Sequence, residues 1–173
     1  MDLATSFLER SRHYLALEYP TKIRRCLDVI PPHVLWRRTD PQSNSIGNLI
    51  LHLSGNVRQW IVSGVGGAPD ARNRRGEFEA RRGEGADELF AQLRRTLDEA
   101  DTVIASLAAE QLLEPRAIQG RDVTVLDAIY HVVEHFSLHT GQIILLAKSA
   151  APDRIRFYED VGGLAMPRWM DDT

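Results

Sequence analysis

Three histidines near the end of the chain have a spacing that could place them in one chemical site. His131, His135 and His139 are four residues apart, within the stretch 122–150. On an α-helix this spacing puts successive histidines about one turn apart on the same face. The opposite face of the stretch is also apolar, so we expect the helix to be central and its imidazoles to be buried. Buried imidazoles need partners, because an unsatisfied polar group costs about 1–3 kcal/mol, and a metal ion is one such partner.

His135 and His139 form an H-x-x-x-H pair that could bind one metal ion from a single helix face. Core histidines also bond to backbone or hydroxyl groups, so the pair by itself leaves both interpretations open. A catalytic zinc site normally has three protein ligands and one open position. Three histidines on successive turns span about 11–12 Å, whereas ligand atoms lie only about 2 Å from zinc. We therefore expect His131 one layer deeper, and Glu134 has the wrong register for an H-E-x-x-H protease.

The best-placed candidate for a third ligand is His52, in a predicted helix that ends near Ser63. Periodicity alone favours the interpretation that the polar side of this helix faces water and that His52 is an ordinary surface residue. The alternative is that the polar side lines a pocket between helices, with His52 pointing inward. The polar side contains Ser45, Asn48, His52, Asn56 and Gln59.

The segments that must position these residues have the sequence pattern of helices joined by loops. No segment alternates between apolar and polar residues strongly enough to predict a strand. We predict an all-α, single-domain chain (1–173): a four-helix bundle with a long loop between helices two and three and a packed C-terminal tail. Pro20 predicts a kink or short break in the first helix, and Thr124 with Asp127 resembles a capping box at the start of the fourth. The predicted helices cover about 2–29, 45–63, 86–109 and 124–150, with loops at 64–85 and 114–120.

The predicted loop 64–85 is rich in glycine and arginine, and loops of this length are often functional. Arg72, Arg74 and Arg75 could bind an anionic group such as a substrate carboxylate. The alternative, which we favour, is a solvated charged loop that Glu77 and Glu79 partly neutralise.

Composition excludes several classes of function. The net charge of −3 argues against a dedicated nucleic-acid binder, whose surface is normally basic. No apolar run approaches the roughly 20 residues of a membrane span, and the first ten residues lack the apolar core of a signal peptide. The single cysteine, Cys26, cannot form an internal disulfide, which fits a reducing cytoplasm.

Two blocks of the chain resemble the signature helices of the DinB-like superfamily, which includes the bacillithiol transferases and the mycothiol-dependent maleylpyruvate isomerases. The family's motif is one histidine on the second helix and H-x-x-x-H before Gly-Gln on the fourth. The loop RNRRGEFEAR is similar to that of an uncharacterised branch. The two blocks are SNSIGNLILHLSGNVRQW and TVLDAIYHVVEHFSLHTGQI, in which the motif falls on His52, His135, His139, Gly141 and Gln142.

The resemblance implies a bacterial four-helix bundle with a divalent-metal site, a homodimer, and thiol-dependent transfer or isomerisation of a small molecule. Zinc or nickel would suit three imidazoles, and a low-molecular-weight thiol would be the cosubstrate. The alternative is a non-catalytic, stress-related metal-binding bundle that has a protein or small-ligand partner. The implied metal ligands are His52, His135 and His139, and the residues expected beside them or lining a substrate site are Asn48, Asn56, His131 and Gln142.

Overall fold

The computed structural model describes residues 2–169, and this part of the chain is mostly helical, as predicted. Two π-helical segments, His13–Glu18 and Arg58–Val65, extend neighbouring α-helices, and two short 3-10 helices occupy Pro32–Val34 and Ala109–Leu113. The α-helices are α1 (Leu3–Arg12), α2 (Tyr19–Val29), α3 (Ile46–Val57), α4 (Arg74–Glu79), α5 (Ala86–Ala105) and α6 (Val125–Ala150).

The prediction that the chain contains no strands, and a loop over 114–120, is wrong. Strand β1 (Pro115–Ile118) pairs antiparallel with β2 (Arg121–Thr124), and β3 (Tyr158–Val161) pairs with β4 (Leu164–Pro167). These strands have only four residues each, the shortest length at which a period-two pattern can be recognised, and none of them alternates strictly between apolar and polar residues. The turns are the stronger signal, because both residues between the paired strands have positive φ in each hairpin, as type I′ hairpin turns require. They are Gln119 and Gly120 in the first hairpin, and Gly162 and Gly163 in the second.

Helices α3 and α6, which carry the histidines, share one hydrophobic core. Helix α2 packs on α6, α3 packs on α5, and α6 also lies along α3 and its π-helical extension. The largest fully buried side chains come from all four of these helices, so the core fixes where the histidines can point. They include Ile23, Leu53, Leu93, Ile129 and Phe136.

Of the kink or short break predicted at Pro20, the break is absent: the first predicted helix continues through this residue, and the missing hydrogen bond is replaced. Proline has no N–H to donate to the carbonyl four residues earlier, which is that of Ala16. Arg94 of α5 donates to this carbonyl instead, at 2.6 Å. The helix widens just before Pro20, where the Tyr19 N–H reaches back to the carbonyl of Tyr14. A π-helical turn of this kind accommodates a local defect within a helix.

Local capping sets the start of both site-bearing helices. Ser45 caps α3 in a capping box with Asn48, and Thr124 caps α6 in a capping box with Asp127, as predicted. Each box satisfies two backbone donors that would otherwise lack partners. Helix α5 ends at Ala105, four residues before its predicted end.

The segment 64–85 is more ordered than the exposed loop predicted for it. It contains α4, which Asn73 caps by accepting from the Gly76 N–H. Glu77 on this helix is buried although the segment is highly charged. The tail packs partly as predicted: Phe157 and Trp169 are buried. Within residues 2–169, no helix has both the length and the apolar character needed to cross a membrane.

Candidate metal centre

His52, His135 and His139 converge on one point between α3 and α6. Their candidate ligand atoms all lie within 4.8 Å of one another. The Nε2 atoms of His52 and His135 are 2.9 Å apart, and His52 is only 4% exposed. The three side chains could therefore hold a metal ion, since three imidazoles are a common ligand set for zinc. His52 does not face water, in contrast to the interpretation that periodicity alone favours.

The outer nitrogen of His52 faces a buried ion pair. Its Nδ1 lies 2.9 Å from Glu77 Oε2 and 3.1 Å from Arg72 Nη2. Arg72 holds both oxygens of the Glu77 carboxylate, with Nε donating to Oε1 at 2.8 Å and Nη2 to Oε2 at 2.9 Å. Arg72 Nη1 donates to Gln59 Oε1 at 3.0 Å. The carboxylate, guanidinium and imidazole thus form one connected network.

The two outer Nδ1 contacts test whether the residues suit a metal ion. A carboxylate and an amide oxygen can only accept, so the contacts of His52 Nδ1 with Glu77 and of His139 Nδ1 with Gln142 Oε1, at 2.7 Å, favour a proton on each Nδ1. The donor Arg72 Nη2 lies farther from His52 Nδ1 than the carboxylate does, at 3.1 Å against 2.9 Å. A neutral imidazole that is protonated on Nδ1 leaves the Nε2 lone pair free. Metal-binding histidines commonly have such a bond on the nitrogen that does not ligate. The donor set therefore fits a metal ion held by Nε2 atoms.

Glu77 reaches His52 because several groups fasten α4 against α3. Asn48 Nδ2 donates to the carbonyls of Glu77 and Ala80, at 2.8 and 2.9 Å. Asn48 Oδ1 accepts from Ser45 and Arg38. These bonds anchor α4 against the first turn of α3, while the role of Asn48 in lining a substrate site stays a prediction.

Most of the chain matches the model of a known protein family. A family model described as "Protein of unknown function (DUF1572)" matches residues 2–158. The chain belongs to the DUF1572 family. None of the curated proteins compared with it matches at a significant level.

In this DUF1572 chain, His131 lies one turn below the three converging histidines, as the spacing predicts. Its ring is 5.4 Å from that of His135 and 4.2 Å from that of Trp60, measured between centroids. Asn56 Nδ2 approaches His131 Nε2 at 3.4 Å. Asn56 is buried, so these residues form a polar layer beneath the candidate ligands.

The three arginines considered as possible anion-binding residues have different positions in the structure. The side chain of Arg72 is 4% exposed and bonds to Glu77. Arg74 lies over the ring of Phe78, 5.0 Å from its centroid, and Arg75 pairs with Glu79 at the surface. Arg72 is bonded within the network of Glu77 and His52, whereas anion binding by Arg74 and Arg75 stays a prediction.

The electrostatics of the DUF1572 site favour neutral histidines beside a charged carboxylate. Burial, followed by the charges of His139 and His52, lowers the pKa of His135 to about 3. Burial also lowers the pKa of His139, against an opposing effect of its bond to Gln142. Burial alone would raise the pKa of Glu77, but bonds and charges from Arg72 and His52 together lower it. Neutral imidazole is the form that binds a metal ion.

Sequence reasoning missed Glu77 as a partner of His52. The chain places it in a charged segment, 25 residues from His52, where acidic residues usually face solvent. Two local signals could have indicated a short packed helix there. Asn73 is a good N-cap candidate, and Phe78 is a large apolar side chain that needs burial; its ring lies 4.6 Å from that of His52.

Proposed function

We propose that this DUF1572 chain is a DinB-like, divalent-metal-dependent enzyme that acts on small molecules by thiol transfer or thiol-dependent isomerisation. The observation that carries the proposal is the convergence of His52, His135 and His139, with the outer nitrogens of His52 and His139 bonded to Glu77 and Gln142. The pairing of α2 with α6 and of α3 with α5 supports a four-helix bundle of the DinB-like type. A free, buried Cys26 fits a reducing cytoplasm.

The proposed ligands are the Nε2 atoms of His52, His135 and His139. A bound zinc or nickel ion would act as a Lewis acid that lowers the pKa of a small thiol and favours its thiolate. Glu77 and Gln142 hold the protons on the two Nδ1 atoms, which keeps the opposite nitrogens free. Phe78 covers the ring of His52, which limits its access to water.

Other residues near the ligands have supporting roles in this proposal. His131 is a neutral base in the layer below, since burial lowers its pKa, and Asn56 orients its ring. Glu77 is unsuited to be a general base, because both of its oxygens are bonded. This last observation favours the competing function, a non-catalytic metal-binding bundle.

A metal assay followed by a thiol panel tests the proposal. We expect about one divalent ion per purified chain, measured by mass spectrometry, and loss of most of it in His52→Ala and His139→Ala. His33→Ala is the matched control, because His33 is exposed and distant in sequence. Metal-loaded protein should then catalyse attack of a low-molecular-weight thiol on an electrophile, and His52→Ala should not. A loaded protein that is inactive with every thiol would support the binding bundle, and a wild-type chain without affinity for divalent ions would contradict both functions.

We also propose a homodimer that uses the outer face of α6. Tyr130, Leu138 and Leu145 are 62%, 55% and 67% exposed. Their spacing places them on one side of the helix, and Gly141 between them adds no side chain. Exposed Glu134 lies on the same side, four residues from both Tyr130 and Leu138. An exposed face with several large apolar side chains is typical of a surface that a second copy covers.

A further inference from the structure

We propose that Glu77, oriented by Arg72, is the positioning residue that selects the tautomer of His52. The proposal rests on the proposed metal site for its purpose, since only the Nδ1-protonated form leaves Nε2 free to ligate. Its geometric basis is the 2.9 Å contact between His52 Nδ1 and Glu77 Oε2. The carboxylate can only accept, so it favours a proton on Nδ1. Arg72 Nη2, which can only donate, lies farther from Nδ1, at 3.1 Å, and already donates to Glu77 Oε2.

Arg72 makes a carboxylate necessary at position 77. Its Nε and Nη2 atoms donate to Oε1 and Oε2 of Glu77 at 2.8 and 2.9 Å, so the fork needs two acceptor oxygens. A glutamine has only one. If that oxygen accepted from Arg72 Nε, the amide nitrogen would face His52 Nδ1, donate to it and favour a proton on His52 Nε2. If instead the oxygen faced His52, the amide N–H would face the N–H of Arg72 Nε, and neither of these two donors would have an acceptor.

The surroundings prevent the carboxylate from turning away. The side chains of Arg72 and Glu77 are only 4% and 9% exposed. Asn48 binds the Glu77 carbonyl at 2.8 Å, which fixes the backbone from which the side chain projects. Gln59 Oε1 accepts from Arg72 Nη1 at 3.0 Å, which holds the guanidinium in place. The acceptor is therefore preorganised, and needs no rearrangement when an ion binds.

The first experiment measures the tautomer directly, in the absence of metal. Long-range proton–nitrogen correlation NMR of the uniformly labelled, metal-free chain at neutral pH distinguishes the two protonation sites of each histidine. We expect His52 to carry its proton on Nδ1. In Glu77→Gln we expect the Nε2-protonated form to become the major species or to mix with the first. A proton on Nε2 of wild-type His52 would overturn the proposal without reference to any variant.

Glu79→Gln is the matched control, because it makes the same chemical change two residues away. Glu79 is exposed and pairs with Arg75 rather than with a histidine. We expect this variant to keep the wild-type tautomer. Arg72→Lys is a second test in case Glu77→Gln folds poorly: it keeps the charge but loses the fork, so we expect a mixture of tautomers at His52. A pure Nδ1-protonated form in both Glu77→Gln and Arg72→Lys would overturn the proposal.

The second experiment measures the affinity for Zn²⁺ by competition with a chromophoric chelator. Substitution of outer partners of ligating histidines typically weakens metal binding about 10- to 100-fold, and we expect a loss in this range for Glu77→Gln but none for Glu79→Gln. Unchanged affinity in a folded Glu77→Gln variant would remove Glu77 from this role. If the wild-type chain does not bind Zn²⁺, the proposed function fails, whereas the NMR result still decides the tautomer.

Discussion

Gly55 of α3 and Glu77 of α4 approach so closely that no larger residue fits between them. A methyl group on Gly55 would lie 2.8 Å from Glu77 Cδ and 2.9 Å from Arg72 Nε. Both distances are well inside van der Waals contact. Glycine at position 55 is what allows the buried carboxylate to reach His52 past the backbone of α3.

We predict that Gly55→Ala weakens Zn²⁺ binding and lowers the free energy of unfolding. Alanine favours a helix over glycine by about 1 kcal/mol, so a loss of stability would show that displacement of the Arg72–Glu77 pair outweighs the helical gain. Chelator competition and urea unfolding measure the two effects. Gly141→Ala is the control, because its added methyl meets no atom of its own chain within 4 Å. Since Gly141 lies on the proposed dimer face, both variants are compared in the Leu138→Glu background. If Gly55→Ala and Gly141→Ala changed the Zn²⁺ affinity and the free energy of unfolding equally, this role of Gly55 would be contradicted.

We predict that the metal-free chain loses stability as the pH falls below about 6.5. The pKa of His135 is lowered from 6.5 to about 3, first by burial and then by its histidine neighbours. Between these values the unfolded chain binds a proton that the folded chain does not, so the free energy of unfolding decreases as the pH decreases. The pKa values of His139 and His131 are lowered as well, which adds to the effect.

This pH dependence is measured by urea unfolding in the presence of a chelator, at several pH values between roughly 7.5 and 5. In this range the ordinary carboxyl pKa values, near 4, contribute little, so the slope reports mainly on histidines. His135→Leu should have a shallower slope than the wild type. The same slope in both proteins would show that His135 accepts a proton freely in the folded state.

We predict a homodimer at micromolar concentration, and a monomer after Leu138→Glu or Leu145→Glu. A buried charge without a partner would oppose the packing of two apolar α6 faces. Sedimentation velocity gives the mass in solution. Leu113→Glu is the control: Leu113 is 74% exposed and lies in the 3-10 helix before β1, which is not part of the face that contains Tyr130, Leu138 and Leu145. A monomeric wild-type chain, or a dimer in all three variants, would contradict this interface.

We predict that Arg94→Leu lowers the free energy of unfolding by about 1–3 kcal/mol, because it leaves the Ala16 carbonyl without its charged donor. The cost should be smaller in a Pro20→Ala background, where residue 20 regains an N–H that can bond to the same carbonyl. A double-mutant cycle from urea unfolding isolates this coupling. Arg95→Leu, at the exposed neighbouring position, is the control. Additive effects of Arg94→Leu and Pro20→Ala would mean that the two donors do not substitute for each other.

The features that the sequence determined by itself are local ones. The spacing of His135 and His139 follows from the period of one helix, and the capping box at Thr124 involves residues only three positions apart. The span of the central helix α6 likewise follows from its continuous apolar pattern. Such features depend on neighbours along the chain, so they can be inferred before the tertiary structure is known.

The choice of His52 as the partner of the α6 pair required more than periodicity. A polar helix face looks the same whether it meets water or a polar pocket, so the pattern alone favoured exposure. The resemblance to a known family favoured the inward orientation, and the packing of α3 on α6 brings His52 to the pair. Its role as a metal ligand stays a prediction.

Only the tertiary structure decided which groups contact the histidines from outside. Glu77 and Arg72 belong to a charged segment whose composition predicts a solvated loop. They become buried because Asn48 fastens the backbone of α4 and because Gly55 leaves room for the carboxylate. Each of these contacts joins residues more than 15 positions apart, and the energy of a buried ion pair depends on all of its neighbours at once. No sequence pattern predicts the contact of Glu77 and Arg72 with His52, because this contact exists only when α3, α4 and α6 are packed together.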